Sequence, residues 1–391
     1  MRLHNLISLI GHKPVKILLR GERIISPWEK GNQGLLPDIH FTDALVIPGL
    51  INSHDHLDFN CFNPLGHRKY ENYREWGRFI HRHFKQEIRQ VLQIPEKLRT
   101  RWGIYKNLLA GVTTVVNHGQ RLKIDQPLIT VYQESQNLHS VGFERFWKWK
   151  LNNPVHRKKI CVIHTGEGRD ETAREEIDEL LRLNLIGREI VGVHGLAMQA
   201  DQASRFKGLV WCPESNRILF SRQAPIERLK KNTTVVLGTD STLTGRWNIW
   251  QHLRYARSLQ KTGDWELFDM VTRSAALLWG MESGELKPGR YADLVVLKKK
   301  KNLSAWDSLY MSNPEDILLV VHRGRIRLFD HTLMEQLEGR LHAPYSRVLI
   351  DKDVKYVEGD LPQLIARIKD YHPEIRFPAE DFESAISVSH D

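Results

Sequence analysis

The chain has 391 residues, 41% of them hydrophobic and 27% charged, and a formal net charge of +10. This composition is that of an ordinary globular protein, and the length suits one large α/β domain with an accessory domain rather than a single small core. No apolar stretch approaches the roughly 20 residues that a bilayer-spanning helix needs, which argues against a transmembrane protein.

The net positive charge suggests nucleic acids or acidic surfaces as partners. The basic residues are scattered, however, and the densest run, 298–301, follows a strand-like segment where a solvated turn is expected. We therefore predict no nucleic-acid partner and no membrane partner, and we retain an anionic small-molecule substrate as the milder inference. The sequence leaves the oligomeric state open, a homo-oligomer included.

The cysteines and the N-terminal residues both favour a cytoplasmic protein. Cys61, Cys161 and Cys212 form neither a C-x-x-C pair nor an even framework, which suits a reducing compartment and argues against a thiolate zinc site. Residues 1–11 contain a short apolar patch but no small-residue cleavage site, so we identify no signal peptide.

Short strands are predicted at both ends of the chain. Residues 15–19 and 23–25, ahead of Pro27, are β-branched and broken by turns, and similar strands return at 292–297 and 317–325. We expect one small discontinuous β-sandwich domain built from residues 1–48 and 284–345. Residues 346–391 are expected to hold one helix, at 361–369, and a polar tail.

Between these ends the pattern changes to strand-then-helix alternation, which is typical of a parallel α/β fold. Strands are predicted at 44–51, 111–119, 159–164, 189–194, 208–212 and 233–240. One helix is expected to open with a capping box at Thr172 and Glu175 and to end at Gly187, and two more are expected at 248–260 and 265–278. We predict that residues 49–283 form a (β/α)8 TIM-like barrel.

Polar residues follow several of these strands. Alternation along a strand places His54 and His56 on one side and Asp55 on the other, and two neutral imidazoles at a strand end make half of a divalent-metal site. His164, His194 and Asp240 also end predicted strands. Because the carboxyl ends of barrel strands converge on one mouth, all five side chains are expected to meet there. Taken singly, His54 and His56 could be surface histidines, His194 a core histidine and Asp240 a turn residue.

Four segments resemble the amidohydrolase superfamily, specifically its deaminase and triazine-hydrolase (cytosine deaminase-like) branch. Residues 48–56 resemble its first-strand signature, 164–167 its His-x-x-Glu, 237–241 its strand-8 aspartate, and 284–294 the segment that re-enters the small β domain. The resemblance covers roughly residues 15–330 and specifies no substrate.

The resemblance implies a ligand set and catalytic roles. His54, His56, His164 and Asp240 would hold one divalent metal ion, zinc first, with iron or manganese as alternatives. A bound ion lowers the pKa of water from 15.7 to about 7, so a metal-activated hydroxide becomes available. His194 would orient the hydroxide or polarise the group under attack, and Glu167 would carry the proton to the leaving nitrogen. The catalytic residues would thus be Glu167, His194 and Asp240. The alternative for Glu167 is a solvated residue ahead of a helix.

The segment between Gly119 and Lys159 departs from the pattern. About 40 residues are short for two full strand–helix units, so strands 3 and 4 are expected to be abbreviated, with 140–144 as a candidate for one. Branches with two metals use a strand-4 lysine, and Lys148 and Lys150 remain open for that role. One metal is preferred.

A second His-x-His pair, His81 and His83, lies where apolar residues recur every four positions, as on a helix at 73–88. Helical residues two apart do not share a face, so this pair is not expected to chelate a metal. The helix would cover the mouth or pack on the barrel wall. Candidate substrate contacts, chosen for their positions after strands, are His118, Trp211, Glu214 and Asn216.

These residues predict a metal-dependent hydrolase of a carbon–nitrogen bond that deaminates an aminated heterocycle or amidine. Two alternatives stay open. One is a cyclic amide hydrolase of the imidazolone or dihydropyrimidine type, which would open a ring without releasing ammonia. The other is a metal-free relative that serves as a binding scaffold.

Overall fold

The computed structural model describes residues 1–9, 11, 13–26, 38–341 and 343–382, so Pro27 lies outside the described residues. The strands are β1 Arg2–Ser8, β2 Pro14–Arg20, β3 Arg23–Ile25, β4 Asp38–Pro48, β5 Leu50–Asp55, β6 Val112–Asn117, β7 Thr130–Tyr132, β8 Gln136–Ser140, β9 Cys161–Thr165, β10 Ile190–His194, β11 Gly208–Trp211, β12 Thr234–Leu237, β13 Leu294–Lys298, β14 Ile317–His322, β15 Arg325–Asp330, β16 Tyr345–Ile350, β17 Asp353–Glu358 and β18 Ala379–Asp381. The helices are α1 Tyr73–His83, α2 Lys85–Gln93, α3 Glu96–Leu109, α4 Trp147–Leu151, α5 Glu171–Arg182, α6 Ala200–Ala203, α7 Pro213–Phe220, α8 Ile226–Leu229, α9 Ile249–Ser258, α10 Asp264–Asp269, α11 Arg273–Trp279, α12 Ala305–Tyr310, α13 Met334–Leu337 and α14 Leu361–Lys369. This mixed α/β content agrees with the sequence prediction.

The two ends of the chain share one ten-stranded sheet, in the order β18-β16-β17-β15-β14-β13-β4-β1-β2-β3. The structure corrects the expectation that the C-terminal segment holds only a helix and a tail, because β16, β17 and β18 extend this sheet. Alternation within β16 and β17 buries Val348, Ile350 and Val357. The alternation is hard to see in the sequence because the buried position 355 carries a lysine.

Residues 50–237 supply two parallel sheets, one ordered β12-β11-β10-β9-β8 and the other β5-β6-β7. Strands β5, β6, β9, β10 and β11 are buried along their whole length, as expected when a parallel sheet is covered on both faces. The backbone N–H groups of Thr239 and Asp240 donate to the His54 carbonyl. The carboxyl end of β12 is therefore bonded to that of β5, so the two sheets bring their strand ends together.

The region between β6 and β9 is abbreviated, as the chain length there predicts. Only three residues separate β7 from β8, and the candidate strand at 140–144 is wrong beyond Ser140, because the chain turns directly after β8.

Two local predictions about helices also differ from the structure. Helix α5 is capped by Asp170, whose carboxylate accepts from the Ala173 N–H at 3.1 Å, rather than by a box at Thr172. The single helix predicted at 265–278 is two helices, α10 and α11.

Helices α1 and α2 lie over the carboxyl ends of the parallel strands and contribute to the chamber described below, so the helix at the second His-x-His pair does cover the mouth. Asn72 caps α1, and its side chain accepts from the Glu75 N–H. Among the described residues, no helix has both the length and the apolar character needed to cross a bilayer.

Candidate active site

Four side chains at strand ends converge on one point. His54 Nε2 lies 3.2 Å from His164 Nε2 and 3.8 Å from Asp240 Oδ1, and His56 Nε2 lies 3.6 Å from the same carboxylate oxygen. A tetrahedral ion with bonds of about 2.0–2.1 Å separates its ligand atoms by about 3.3 Å. The spacing of these donor atoms therefore suits a single small cation.

The backbone leaves the ordinary allowed region at Asp240 and at a fifth residue of the site, His194. His194 has φ of 74° and Asp240 has φ of 57°, a left-handed conformation that costs a non-glycine residue about 1–3 kcal/mol. His194 is the last residue of β10, and Asp240 lies three residues after β12. The surrounding structure holds this strain, and the strain points both side chains into the mouth.

Burial makes the imidazoles suitable as ligands. Desolvation, with the neighbouring imidazoles, holds the pKa of His54 and of His164 well below the usual value. Burial would raise the pKa of Asp240, but His56, His194 and a hydrogen bond from Thr244 bring its pKa below the usual value. Neutral imidazoles beside an ionised carboxylate present lone pairs to each other, and a divalent cation satisfies such a donor set.

Asp55, between the two first-strand histidines, points away from them into a buried polar network. Its Oδ2 accepts from Lys106 Nζ and Asn107 Nδ2, each at 2.8 Å, and its Oδ1 accepts from Asn60 Nδ2 at 2.8 Å. Lys106 lies on α3 and is 1% exposed. Sequence alternation predicts the direction of Asp55 but gives no sign of its partner on α3.

Asn52 extends this network to Thr239, two residues after β12. Its Nδ2 donates to Thr239 Oγ1 at 2.8 Å, and its Oδ1 accepts from the Thr239 N–H at 3.0 Å. Lys106 Nζ also donates to Asn60 Oδ1 at 3.0 Å. The network thus joins the segment that carries His54 and His56 to the segment that carries Asp240.

Glu167 lies beside the cluster. Its carboxylate oxygens are 3.9 Å from His164 Nδ1 and 3.7 Å from His194 Nε2. Burial, together with the carboxylates of Asp240 and Glu176, raises the pKa of Glu167 well above its usual value. A carboxyl group in this setting accepts a proton readily, as a general acid–base residue requires.

His194 is held from behind by Asn216, whose Oδ1 lies 3.1 Å from His194 Nδ1. Asn216, predicted to contact substrate, is fully buried and lies behind the imidazole rather than on the chamber wall. Its amide oxygen accepts a hydrogen bond from Nδ1–H, so Nε2 carries the lone pair that faces the mouth. The tautomer of His194 is thereby fixed.

The other predicted substrate contacts also lie outside the chamber lining. His118 is buried and stacks on His164 with ring centroids 4.6 Å apart. Trp211 is buried, and its Nε1 donates to Gln223 Oε1. Glu214 is buried in the first turn of α7, where its carboxylate accepts from the Arg246 N–H at 3.0 Å.

One residue that sequence reasoning missed, His139 on β8, lines the chamber beside His164, with ring centroids 5.2 Å apart. The sequence gives little signal for it, because β8 is a short strand, Gln136–Ser140, in which Leu138 is the one apolar residue. Lys148 and Lys150, the open candidates for a bridging lysine, pair instead with Glu179 and Glu144. His81 lines the chamber, whereas His83 packs on Phe79, so the second His-x-His pair is divided as expected.

The cluster lies at the floor of a chamber of about 300 Å³. Its lining from the described residues falls into three groups: the metal-ligand candidates and proton carriers His56, His164, Glu167, His194 and Asp240; other polar residues Tyr73, His81, His139, Ser241 and Thr244; and, apart from Gly77, a large apolar set of Phe59, Phe62, Leu65, Trp76, Ile80, Ile88, Leu92, Phe143 and Leu243. No lysine or arginine is among these lining residues, so nothing in the described wall supports the anionic substrate that net charge suggested.

The sequence is similar to those of known enzymes. Residues 155–327 match the amidohydrolase family. A 5′-deoxyadenosine deaminase of Methanothermobacter thermautotrophicus is 30% identical over an alignment of 372 positions, and the match covers 76% of this chain and 85% of that enzyme. A 5-methylthioadenosine/S-adenosylhomocysteine deaminase of Pyrococcus furiosus is 23% identical over an alignment of 389 positions, and the match covers 82% of this chain and 90% of that enzyme.

Among solved structures, an adenosine deaminase from Xanthomonas campestris with bound zinc has a similar fold. The TM-score is 0.70 at 15% identity, and the match covers 96% of this chain and 98% of that one.

Proposed function

This chain belongs to the amidohydrolase family, and we propose that it is a metal-dependent hydrolase that removes the exocyclic amino group of an adenine-type heterocycle. One observation carries the proposal. Glu167 and His194, 3.7 Å apart, lie beside the cluster of three histidines and an aspartate, at one end of the chamber. The relatives named as deaminases of 5′-deoxyadenosine and 5-methylthioadenosine support the adenine ring as the aminated group.

His54, His56, His164 and Asp240 would hold the metal ion, and the imidazole and carboxylate donors suit zinc best, with iron or manganese as alternatives. When bound, such an ion lowers the pKa of water to about 7 and supplies a nucleophile at neutral pH. The donor atoms fit because they converge within ligand spacing, and because burial holds the pKa of His54 and of His164 well below the usual value.

The remaining chemistry falls to Glu167 and His194. Glu167 accepts the proton of the attacking water as the new carbon–oxygen bond forms at the aminated ring carbon. The double bond from that carbon to the ring nitrogen opens at this step, with its electron pair moving to the nitrogen, and it re-forms when the amino group leaves. Glu167 then delivers that proton to the exocyclic nitrogen, the carbon–nitrogen bond breaks, and ammonia leaves. Asn216 holds the His194 ring with Nε2 toward the mouth, where it orients the water, and Asp240 completes the catalytic set.

The same proposal includes the finer features of the architecture. It takes the five-stranded and three-stranded parallel sheets as two parts of one closed (β/α)8 barrel, which the hydrogen bonds from Thr239 and Asp240 to the His54 carbonyl support. It keeps the small discontinuous β domain as a sandwich. It also keeps a small-molecule substrate and a cytoplasmic location, for which the three reduced, buried cysteines are the argument.

The first experiment measures ammonia release from adenosine and metal content in protein purified without chelator. We expect about one metal ion per chain in the wild type and loss of that ion in His54→Ala. His322 offers a matched control, because it is also a buried histidine beside an aspartate, with Nδ1 2.9 Å from Asp293, but it lies in the ten-stranded sheet. His322→Ala should keep the metal.

Full metal content in His54→Ala would overturn the ligand assignment. A well-folded wild type that binds no metal would favour the scaffold alternative, and ring opening of a cyclic amide without ammonia would favour the cyclic amide hydrolase.

A further inference from the structure

The wall of the chamber is largely apolar. Beside the metal-ligand candidates, most of the wall consists of aromatic and aliphatic side chains from four parts of the chain, with Tyr73, His81, His139 and Ser241 as polar members. The apolar side chains are Phe59, Phe62 and Leu65 after β5, Trp76, Ile80, Ile88 and Leu92 on α1 and α2, Phe143 after β8, and Leu243 after β12. At about 300 Å³, the chamber is at the small end of ligand pockets. It holds a ring and a short substituent.

Several polar atoms in this wall already have protein partners. Trp76 Nε1 donates to the Leu65 carbonyl at 2.9 Å, and Tyr73 Oη donates to Glu176 at 2.9 Å. Thr244 Oγ1 donates to Asp240 Oδ2 at 2.8 Å. Hydroxyl groups on a substituent would therefore find few partners beyond His81, His139 and Ser241, and an unpaired hydroxyl loses its bonds to water without compensation.

A charged substituent would be less favourable in the chamber than a hydroxylated one. The acidic residues in the described lining are Glu167 and Asp240, both at the reacting end, and the described lining has no lysine or arginine. Within the chamber, a zwitterionic amino-acid tail would place an ammonium and a carboxylate against Ile80, Ile88 and Leu92. The cations Lys85 and Arg89 line the adjoining outer groove, which shares Ile88 and Leu92 with the chamber, rather than the chamber itself. Burying an unpaired charge is more costly than burying an unpaired hydroxyl.

On the basis of the function proposed above, we propose that the substrate is an aminated heterocycle whose ring substituent is neutral and apolar. The chamber selects this substituent over polyhydroxylated or zwitterionic ones, because its outer wall offers contact area rather than hydrogen bonds. The specificity-determining residues are Ile88, Leu92 and Phe143, and the half-exposed Leu92 and Phe143 lie toward the opening of the chamber. Selection then rises with the apolar area of the substituent, by about fourfold for each buried methylene group.

The test is ammonia release from a substrate series on the full-length holoenzyme. The series is 9-methyladenine, 9-propyladenine, 9-butyladenine, adenosine, 5′-methylthioadenosine and S-adenosylhomocysteine. We expect kcat/KM to rise by up to about 60-fold from 9-methyladenine to 9-butyladenine. 5′-Methylthioadenosine should exceed S-adenosylhomocysteine by at least tenfold, and 9-butyladenine should exceed adenosine.

Two variants assign the selection to the wall. Ile88→Ala and, separately, Leu92→Ala should lower the 9-butyladenine to 9-methyladenine ratio several-fold. The control is Leu277→Ala, because Leu277 is 62% exposed on α11 and does not line the chamber; it should leave the ratio unchanged.

The outcomes separate the two proposals. Ammonia release with adenosine or S-adenosylhomocysteine as the best substrate, or with a ratio that neither variant changes, would overturn the apolar-substituent inference and leave deamination standing. No ammonia from any member of the series would overturn the proposed function, and the inference would fall with it.

Discussion

Replacing Lys106 by methionine should loosen the metal centre although Lys106 touches no ligand. Lys106 Nζ donates to Asp55 at 2.8 Å and to Asn60 at 3.0 Å, and both Lys106 and Asp55 are essentially unexposed. Methionine keeps the bulk and removes the charge. It leaves the Asp55 carboxylate buried without its cation, and removing one partner of a buried ion pair costs about 3–5 kcal/mol.

The chain contains a matched control in Lys355. Its Nζ donates to Asp330 at 2.6 Å and to the Ile317 carbonyl at 2.9 Å, and both side chains are fully buried. This pair lies in the ten-stranded sheet, away from the mouth. Lys355→Met should therefore lower the free energy of unfolding by a similar amount, about 3–5 kcal/mol, with no change at the metal centre.

The assay combines urea unfolding with metal affinity measured by competition with a chelator. Groups that orient metal ligands typically contribute about 10–100-fold to affinity, and we expect that loss in Lys106→Met alone. Equal metal affinity in the two variants would refute the reasoning. It would mean that the network around Asp55 supports the fold without positioning His54 and His56.

Three further predictions follow from single contacts. Glu167→Gln should lower kcat by about 10²–10⁴-fold, because the amide cannot carry the proton, while metal content measured by elemental analysis stays at the wild-type level. Asn216→Ala removes the acceptor for His194 Nδ1 and should lower kcat/KM for ammonia release by about 10–100-fold, equivalent to about 1–3 kcal/mol for an unpaired buried group. Gly103→Ala would place a Cβ atom 2.2 Å from the Leu57 carbonyl oxygen, so thermal or urea unfolding should show a loss of about 1–3 kcal/mol.

Each of these has a result that contradicts it. Metal loss in Glu167→Gln would make that residue a ligand rather than a proton carrier. Unchanged kinetics in Asn216→Ala would mean that the ring of His194 is held by packing alone. Gly263→Ala is the control for Gly103→Ala, because an added Cβ at Gly263 meets nothing within 4 Å; equal losses in both would point to a general effect of alanine.

The ligand candidates could be found in the sequence because each one ends a local pattern. His54 and His56 follow a buried strand, and alternation alone places them on the same side. His164, His194 and Asp240 likewise follow apolar runs. The proposed substrate contacts Trp211 and Glu214 were chosen only for their place at or after a strand end, and the structure puts both outside the chamber lining. Trp211 ends β11 and donates to Gln223, and Glu214 lies in the first turn of α7 and accepts from the Arg246 N–H. Neither partner can be recognised from the local pattern.

The sequence by itself determined which polar residues end the apolar runs, and hence the candidate donor set of the site, because strand periodicity is a local property of the chain. Only the tertiary structure decided that Lys106 would neutralise Asp55, that His139 would reach the chamber, and that α1 and α2 would give it a largely apolar wall. Lys106 and Asp55 are 51 residues apart in the sequence, and the chamber lining runs from His56 to Thr244. The geometry of such contacts is set by how loops of particular lengths pack. No pattern within one segment encodes that packing.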